Sequence, residues 1–468
     1  MLQLLKAYKI QLLLVLSLLA FYAAFAYDLE RSDFIKLITL YAGLFFISFK
    51  LIQLLKVDFK TLMVLAILVR LVFLVAMPNL SQDFYRFLWD GRLIAQGLSP
   101  YLLTPEAWIQ TGNLPVAQAN ELLNGMGSLS RQHYSNYPPV NQFFFALAGL
   151  FAGKSIFGGV VVLRLCIIAA DLGVLWLGRK LLEALKLPQH QIFWYVLNPF
   201  IVIELTGNLH FEGVMLFFLL AALYLLHSGK WFFSAVLLAL SISVKLLPLL
   251  MLPLLFQFLI KPDRPSSESQ NFWLYLKNNF AQSLWRLIRY YIVVLLVFAL
   301  SFLPFLNSAL LEHFTATIAL WFQKFEFNAS IYYLVRWVGF QVKGYNIIET
   351  AGKILPLVVI GILALLGFLR KNSTTMQLFG VLLLGSTAYF MLSTTVHPWY
   401  IATPLLLSVF TRFRFAMVWS FMVMLSYSAY KSEGVEENLW LVALEYLILT
   451  GFMVWEFVKI QKQRLSRA

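Results

Sequence analysis

Four charged residues crowd the stretch "SQDFYRFLWDGRLIAQGLSPY" (81–101): Asp83, Arg86, Asp90 and Arg92. In a chain that is 61% hydrophobic and 12% charged, such a cluster needs a reason. Further along, His210 and Glu212 fall in "GNLHFEGV", Lys245 interrupts "LALSISVKLLPLLMLP", Glu326 and Asn328 lie in "WFQKFEFNAS", and His397 lies in "TTVHPWY". An ionisable residue at membrane depth costs ~2.5–3.5 kcal/mol on insertion scales, so each is a candidate site residue. A carboxylate there can take a proton from an incoming hydroxyl. A lysine, arginine or histidine can neutralise a phosphate leaving group. Each residue also has a plainer reading: Asp83 as a helix cap, His210 as a satisfied buried histidine, Lys245 as a side chain reaching toward the headgroups. Asp171, within "CIIAADLGVLWLG", reads as a structural or helix-pairing carboxylate.

The elements that position these residues are membrane helices. Apolar stretches long enough to span, ~20 residues for a full helix, recur along the chain. They lie at 8–27, 34–55, 61–77, 156–178, 191–206, 211–227, 290–306, 352–369, 376–394, 415–429 and 439–458, with shorter ones at 231–244, 246–260 and 400–411. That gives a bundle of about 12–14 crossings, some shorter than a standard span. Segment 140–152 is short enough to be re-entrant or interfacial. The chain is expected to be an all-α polytopic membrane protein forming one transmembrane domain over 1–468, its first apolar segment a retained helix rather than a signal peptide. Two long external loops are expected, 78–139 and 307–350, with a cytoplasmic loop at 261–289 that includes an amphipathic, membrane-surface stretch.

Loop charge sets the orientation. Lys56, Lys60, Arg179, Lys180, Arg370, Lys371, Arg412, Arg414 and the tail "KIQKQRLSRA" fall on one side, with the five Lys/Arg and two acids of 261–289. By the positive-inside rule that side is the cytoplasm. All the chemistry-bearing residues above except Asp171 then fall on or just inside the opposite face. The net charge of +14 follows from the same asymmetry and calls for no nucleic-acid partner. The single cysteine, Cys166, precludes an internal disulfide or a CxxC metal site. No P-loop or GxGxxG is present, so a nucleotide-driven machine is not indicated. One carboxylate with cationic neighbours, on the face away from cytoplasmic nucleotide sugars, suits transfer from a lipid-linked phosphate donor.

The residues also carry a resemblance. "DFYRFLWDGRLIAQGLSPY" followed by "YSNYPPVNQFFFAL" (134–147) resembles the first external loop of the GPI mannosyltransferase I family. "LNPFIVIELTGNLHFEG" and "TTVHPWY" are similar to segments of bacterial polyprenol-phosphate-mannose-dependent mannosyltransferases. Both groups belong to the GT-C superfamily of membrane glycosyltransferases, and the likeness runs from about residue 61 to 411 through the order of loosely matching motifs. The two helices before it are not part of the eukaryotic pattern.

The resemblance implies a GT-C-like bundle and an inverting hexosyl transfer, mannose being the expected sugar, from a polyprenyl phosphate to a glycan, lipid or protein acceptor. The expected setting is a bacterial inner membrane, with the site facing the periplasm and membrane lipids as neighbours. Asp83 matches the second acidic position of the family's Asp-x-Asp pattern and becomes the expected general base, with Asp90 as the runner-up. Ser81 stands at the first position, which weakens any case for a metal held by the pair, and no cofactor is expected. Lys245 matches a lysine in the family's broken helix, near the donor phosphate, with Arg86 and Arg92 as further cations. His210 and Glu212 match a Gly-Asn-x-His-x-acid motif near donor or acceptor sugar. His397 and Tyr400 are expected to line the same cavity with Glu326, while Tyr101 and Tyr137 either stack on a sugar or act as interfacial anchors. The rival readings are a flippase or transporter of lipid-linked sugars, and a ligase or polymerase moving a whole oligosaccharide. A transporter would often show related halves with matching broken helices, and only one clear broken pair is present.

Overall fold

The computed structural model describes residues 9–112, 114–260 and 272–465. It is almost wholly helical: its one strand pairing longer than a single bridge is the ribbon Tyr430–Lys431 with Gly434–Val435. Among the described residues, seven helices are long and apolar enough to cross a membrane. A bent pair, Pro199–Gly207 with Glu212–His227, adds an eighth. Four shorter apolar helices stand where the sequence suggested further crossings, Trp231–Val244, Leu247–Ile260, Pro398–Val409 and Phe415–Ala429, and a fifth, Pro139–Ala152, stands at the segment expected to be re-entrant or interfacial. The chain is thus an all-α polytopic membrane protein, with a large buried cluster of apolar side chains running from Leu18 to Leu449 and a small one formed by Tyr101, Leu310 and Phe314.

The first hairpin joins α1 (Lys9–Tyr27) to α2 (Phe34–Leu54). Its turn ends where the Asp33 carboxylate accepts the Lys36 amide at 3.1 Å, a side-chain cap that starts α2. Asp58 caps α3 (Phe59–Phe73) in the same way through the Thr61 amide. The first long loop then opens with α4 (Asp83–Ala95), passes three short helices between 105 and 131, and closes with α5 (Pro139–Ala152). At ~1.5 Å per residue, the 14 residues of α5 are too short for a ~30 Å hydrocarbon core.

Helices α4 and α5 cross at two glycines. A Cβ on Gly91 would lie 2.0 Å from the Phe145 carbonyl oxygen, and one on Gly149 would lie 2.3 Å from the Gly91 carbonyl oxygen. Only the missing side chains let the backbones approach this closely. Phe87 and Phe145 stack beside the crossing, their centroids 4.4 Å apart. The loop that carries the acidic cluster is thereby fixed to the bundle rather than left as a free lip.

Next come α6 (Ile156–Ala184), the half-helix α7 (Pro199–Gly207), α8 (Glu212–His227) and α9 (Trp231–Val244). The α7–α8 break turns by 113°. Its carbonyl ends are satisfied from inside: the buried Arg164 guanidinium donates to Thr206 O and Gly207 O, both at 2.9 Å. Asp171, two turns further along α6, accepts Arg70 Nε at 2.8 Å and Thr206 Oγ1 at 3.1 Å. These are the partners a charged residue at membrane depth requires.

After α9 the chain breaks at Lys245, in extended backbone, and resumes as α10 (Leu247–Ile260). Part of the expected cytoplasmic loop, 261–271, lies outside the described residues, as do the last three residues of the basic tail. Helix α11 (Phe280–Ser301) begins inside the stretch expected to be an amphipathic loop helix, because no breaker separates 280 from the apolar run. Arg289 lies over the Trp231 ring at 4.3 Å, which places its charge without ending the helix. The second long loop holds α12 (Leu310–Gln323) and α13 (Ile331–Lys343). Then follow α14 (Ile348–Leu369), α15 (Thr375–Leu392), α16 (Pro398–Val409), α17 (Phe415–Ala429) and α18 (Leu439–Leu465).

Candidate active site

Asp83 is the first residue of α4, not its cap. The residue before it, Gln82, makes no side-chain cap, and the Ser81 hydroxyl accepts the Asp83 amide at 3.3 Å. The carboxylate is therefore left for other work. It is partly exposed but enclosed by protein. Burial holds it above its ordinary range, while Lys245, Arg31 and the Ser81 hydroxyl pull it back. A carboxyl with a raised pKa is a stronger base when ionised.

Asp90, two turns along the same helix, is fully buried and fully used. It accepts Arg86 Nε at 2.8 Å, Ser135 Oγ at 2.6 Å and Gln142 Nε2 at 2.9 Å. Arg86 also donates to the carbonyls of Ser130 and His133 at 2.6 and 2.9 Å, and Arg92 donates to Ala117 O at 2.5 Å. Asp90, Arg86 and Arg92 thus staple the long loop to α4. Tyr101 is buried as well: its hydroxyl donates to Tyr137 O at 2.6 Å, and its ring packs edge-on against Phe305 and Phe314. The Tyr137 ring is held edge-on by Phe87 and Phe145.

Lys245 Nζ lies 2.6 Å from Glu212 Oε1. The helix breaks at Lys245 and at the α7–α8 bend place these two side chains opposite each other. The other Glu212 oxygen is buried with no partner among the described residues. Asn208 ties this bend to the segment that leads into α4: its Oδ1 accepts the Leu80 amide at 2.8 Å, three residues before Asp83, while its Nδ2 donates to Ile203 O at 3.0 Å.

His210 and His397 sandwich Trp399, the centroids lying 3.7 and 4.6 Å apart and the planes tilted by 16° and 6°. Phe327 also stacks on His397, its centroid 5.2 Å away. Backbone bonds from Phe327 N to Thr394 O and from Val396 N to Phe327 O pin this end to the second long loop. Tyr400 meets the His397 ring edge-on at 5.4 Å. Burial pushes the His397 imidazole down to about 3, with Arg31 and Lys245 adding to the shift, so it stands neutral at neutral pH. Glu326 lies one residue from this stack but is bound elsewhere. It pairs with Arg336 and accepts Tyr332 Oη at 2.6 Å and Asn346 Nδ2 at 3.3 Å.

Of the sequence candidates, the structure brings together Asp83, Lys245, Glu212, His210, His397 and Tyr400. It places Asp90, Arg86, Arg92, Tyr101 and Tyr137 in the supporting wall, and Glu326 in a separate ion pair. Two residues at the site escaped the sequence reading. Glu204, in a π-helical turn of α7, accepts Tyr427 Oη at 2.8 Å and lies 3.7 Å from His210 Nε2. Its position inside "PFIVIELTG" was the available signal: a carboxylate in an apolar run. Arg31, in the turn between α1 and α2, lies over the Tyr430 ring at 3.3 Å. Nothing in the mixed-charge turn "DLERSD" marked it.

Among the described residues, no three His, Cys, Asp or Glu side chains group as metal ligands. The site can do acid–base and electrostatic chemistry: one carboxylate free of bonded cations, a lysine held by a second carboxylate, and neutral aromatic walls.

Residues 17–261, more than half of the chain, match the family model described as alpha-(1->6)-mannopyranosyltransferase, N-terminal domain, and the chain belongs to that family. It is a GT-C-type mannosyltransferase family. Alpha-(1->6)-mannopyranosyltransferase A of Mycobacterium tuberculosis is 27% identical over 183 residues, 39% of this chain and 34% of that protein. Alpha-(1->6)-mannopyranosyltransferase B of Corynebacterium glutamicum is 27% identical over 162 residues, 33% of this chain and 26% of that protein. The matched stretch thus spans about a third or less of those relatives' length. The family match, residues 17–261, includes the segment from Asp83 to Lys245.

Proposed function

We propose that this chain is a mannosyltransferase that takes mannose from a polyprenyl phosphate and adds it to a glycan acceptor, with inversion at the anomeric carbon. The family and the names of its relatives support the sugar. The observation that carries the mechanism is the contrast at α4: Asp83 is the acid of that helix not locked into an ion pair or buried network, and it faces Lys245.

Asp83 takes the proton of the acceptor hydroxyl as that oxygen bonds to the anomeric carbon. The bond from that carbon to the phosphate oxygen breaks, and the electron pair leaves on the polyprenyl phosphate. Lys245 stabilises the negative charge that develops there. Glu212 holds the lysine in place, and the His210–Trp399–His397 stack forms the wall behind the sugar. An α-linkage, the one in the relatives' names, requires a β-linked donor if the transfer inverts. Lysines and arginines in the opposite loops support a site on the periplasmic face of an inner membrane.

The test is transfer of radiolabelled mannose from synthetic polyprenyl-phosphate-mannose by the purified chain in liposomes containing a membrane glycan extract. The expected result is labelled glycan whose new anomeric signal is α when the donor is β. Donor moving across the bilayer without any labelled product would replace this reading with a flippase.

A further inference from the structure

We infer that Arg31, in the turn of the α1–α2 hairpin, is a second phosphate-binding cation of the active site, beside Lys245. This rests on the donor reading above and extends it to an element that the sequence left without a role.

Four observations carry it. First, Arg31 sits at the site: its guanidinium carbon is 3.3 Å from the Tyr430 ring centre. Tyr430 packs on Tyr427 at 5.6 Å, and Tyr427 is bonded to Glu204. Tyr430 also packs on Phe327 at 5.8 Å, the ring that stacks on His397. Second, Arg31 acts electrostatically on Asp83, Glu204, His210 and His397, residues drawn from three other parts of the chain. Third, Arg31 Nε is buried without a hydrogen-bond partner, and among the described residues no carboxylate lies within ion-pair distance of the side chain. Fourth, the other cation is already matched, because Lys245 is bonded to Glu212 at 2.6 Å.

A departing phosphate gains negative charge. The cation most able to receive it is one whose own counter-charge is not already in place. Stacking on Tyr430 holds the guanidinium plane in place, and the unpartnered Nε on its edge is a donor suited to a phosphate oxygen. Tyr430 orients the fork, so less side-chain entropy is lost when the phosphate binds. The α1–α2 hairpin then contributes to the site through its turn.

The experiment is thermal unfolding of the detergent-solubilised full chain titrated with polyprenyl phosphate, polyprenol and inorganic phosphate. Wild type is expected to be stabilised by polyprenyl phosphate and not by the other two. Arg31→Gln should need ~10–100-fold more polyprenyl phosphate for the same stabilisation, the scale of a lost charged hydrogen bond. Arg31→Lys, which keeps the charge without the fork, should fall between them. It also guards against a folding defect in the glutamine variant. Unchanged titration in both variants, with wild type still discriminating, overturns the role of Arg31 and leaves the donor reading intact. Equal stabilisation of wild type by polyprenol overturns the donor reading and this inference with it. A full response to inorganic phosphate would make Arg31 part of a free-anion site instead.

Discussion

Asp83 and Asp90 lie seven residues apart on one helix and have opposite surroundings. Asp90 accepts three hydrogen bonds from Arg86, Ser135 and Gln142 inside the wall. Asp83 stands at the helix start, raised by burial and facing Lys245 and Arg31. The first arrangement builds a loop, and the second leaves a carboxylate without a bonded cation.

Their asparagine variants should therefore part in stability. Asp90→Asn leaves the buried Arg86 without its counter-charge and should cost about 3–5 kcal/mol, seen as a lower melting temperature in detergent. Asp83 behaves in the other sense. Its folded pKa is raised, so folding favours the protonated form, and that gain is lost as pH rises through the folded value. Ionised Asp83 is thus a cost at neutral pH, and Asp83→Asn should melt at or above wild type. A large loss of stability in Asp83→Asn would assign it a structural role.

The pH profile of transfer should carry the same signature. The base works only when ionised, and burial raises its pKa. The rate under limiting acceptor should therefore fall on the acid side at a higher pH than an ordinary aspartate would give. Measurement of kcat/KM across the acidic range checks this. An acid limb within the usual aspartate range, or none, contradicts it.

Lys245 and Glu212 form a pair whose halves need each other. Lys245→Met leaves a buried carboxylate uncompensated and should cost about 3–5 kcal/mol. The double variant Lys245→Met/Glu212→Met should regain most of that stability and none of the transfer. Recovery of transfer in the double variant would remove Lys245 from the mechanism.

The α4–α5 crossing makes a steric prediction. Gly91→Ala puts a methyl 2.0 Å from the Phe145 carbonyl oxygen. The helices must separate, at about 2–4 kcal/mol by the usual cost of overpacking against backbone, and Asp83 moves with them. Gly361→Ala, on α14 with nothing within 4 Å, should leave melting temperature and transfer unchanged. Equal tolerance of both substitutions would mean that the close crossing is not needed.

Much of this architecture was legible because membrane burial has a simple code. Long apolar runs gave most helices within a few residues, and the polar breaks at Lys245 and at Asn208–Phe211 were visible as interruptions in them. Helix length was less legible. At the start of α11, charged residues remain in the helix because their side chains can reach polar surroundings. Site membership was harder, since spacing along the chain does not tell which way a side chain turns. Tyr101 and Glu326 have suitable chemistry, but Tyr101 is bonded within the wall and Glu326 within its own cluster of Arg336, Tyr332 and Asn346. Arg31 reads as an ordinary turn residue, and only the packing of the first hairpin against Tyr430 brings it to the site.

The most direct test of the central claim compares wild type with Asp83→Asn in one preparation of liposomes, each supplied with labelled polyprenyl-phosphate-mannose and glycan acceptor. The account predicts transfer by wild type and a loss of ~10²-fold or more in the variant, with donor binding retained. Full transfer by Asp83→Asn would contradict it and move the base to another carboxylate of the site, Glu212 or Glu204.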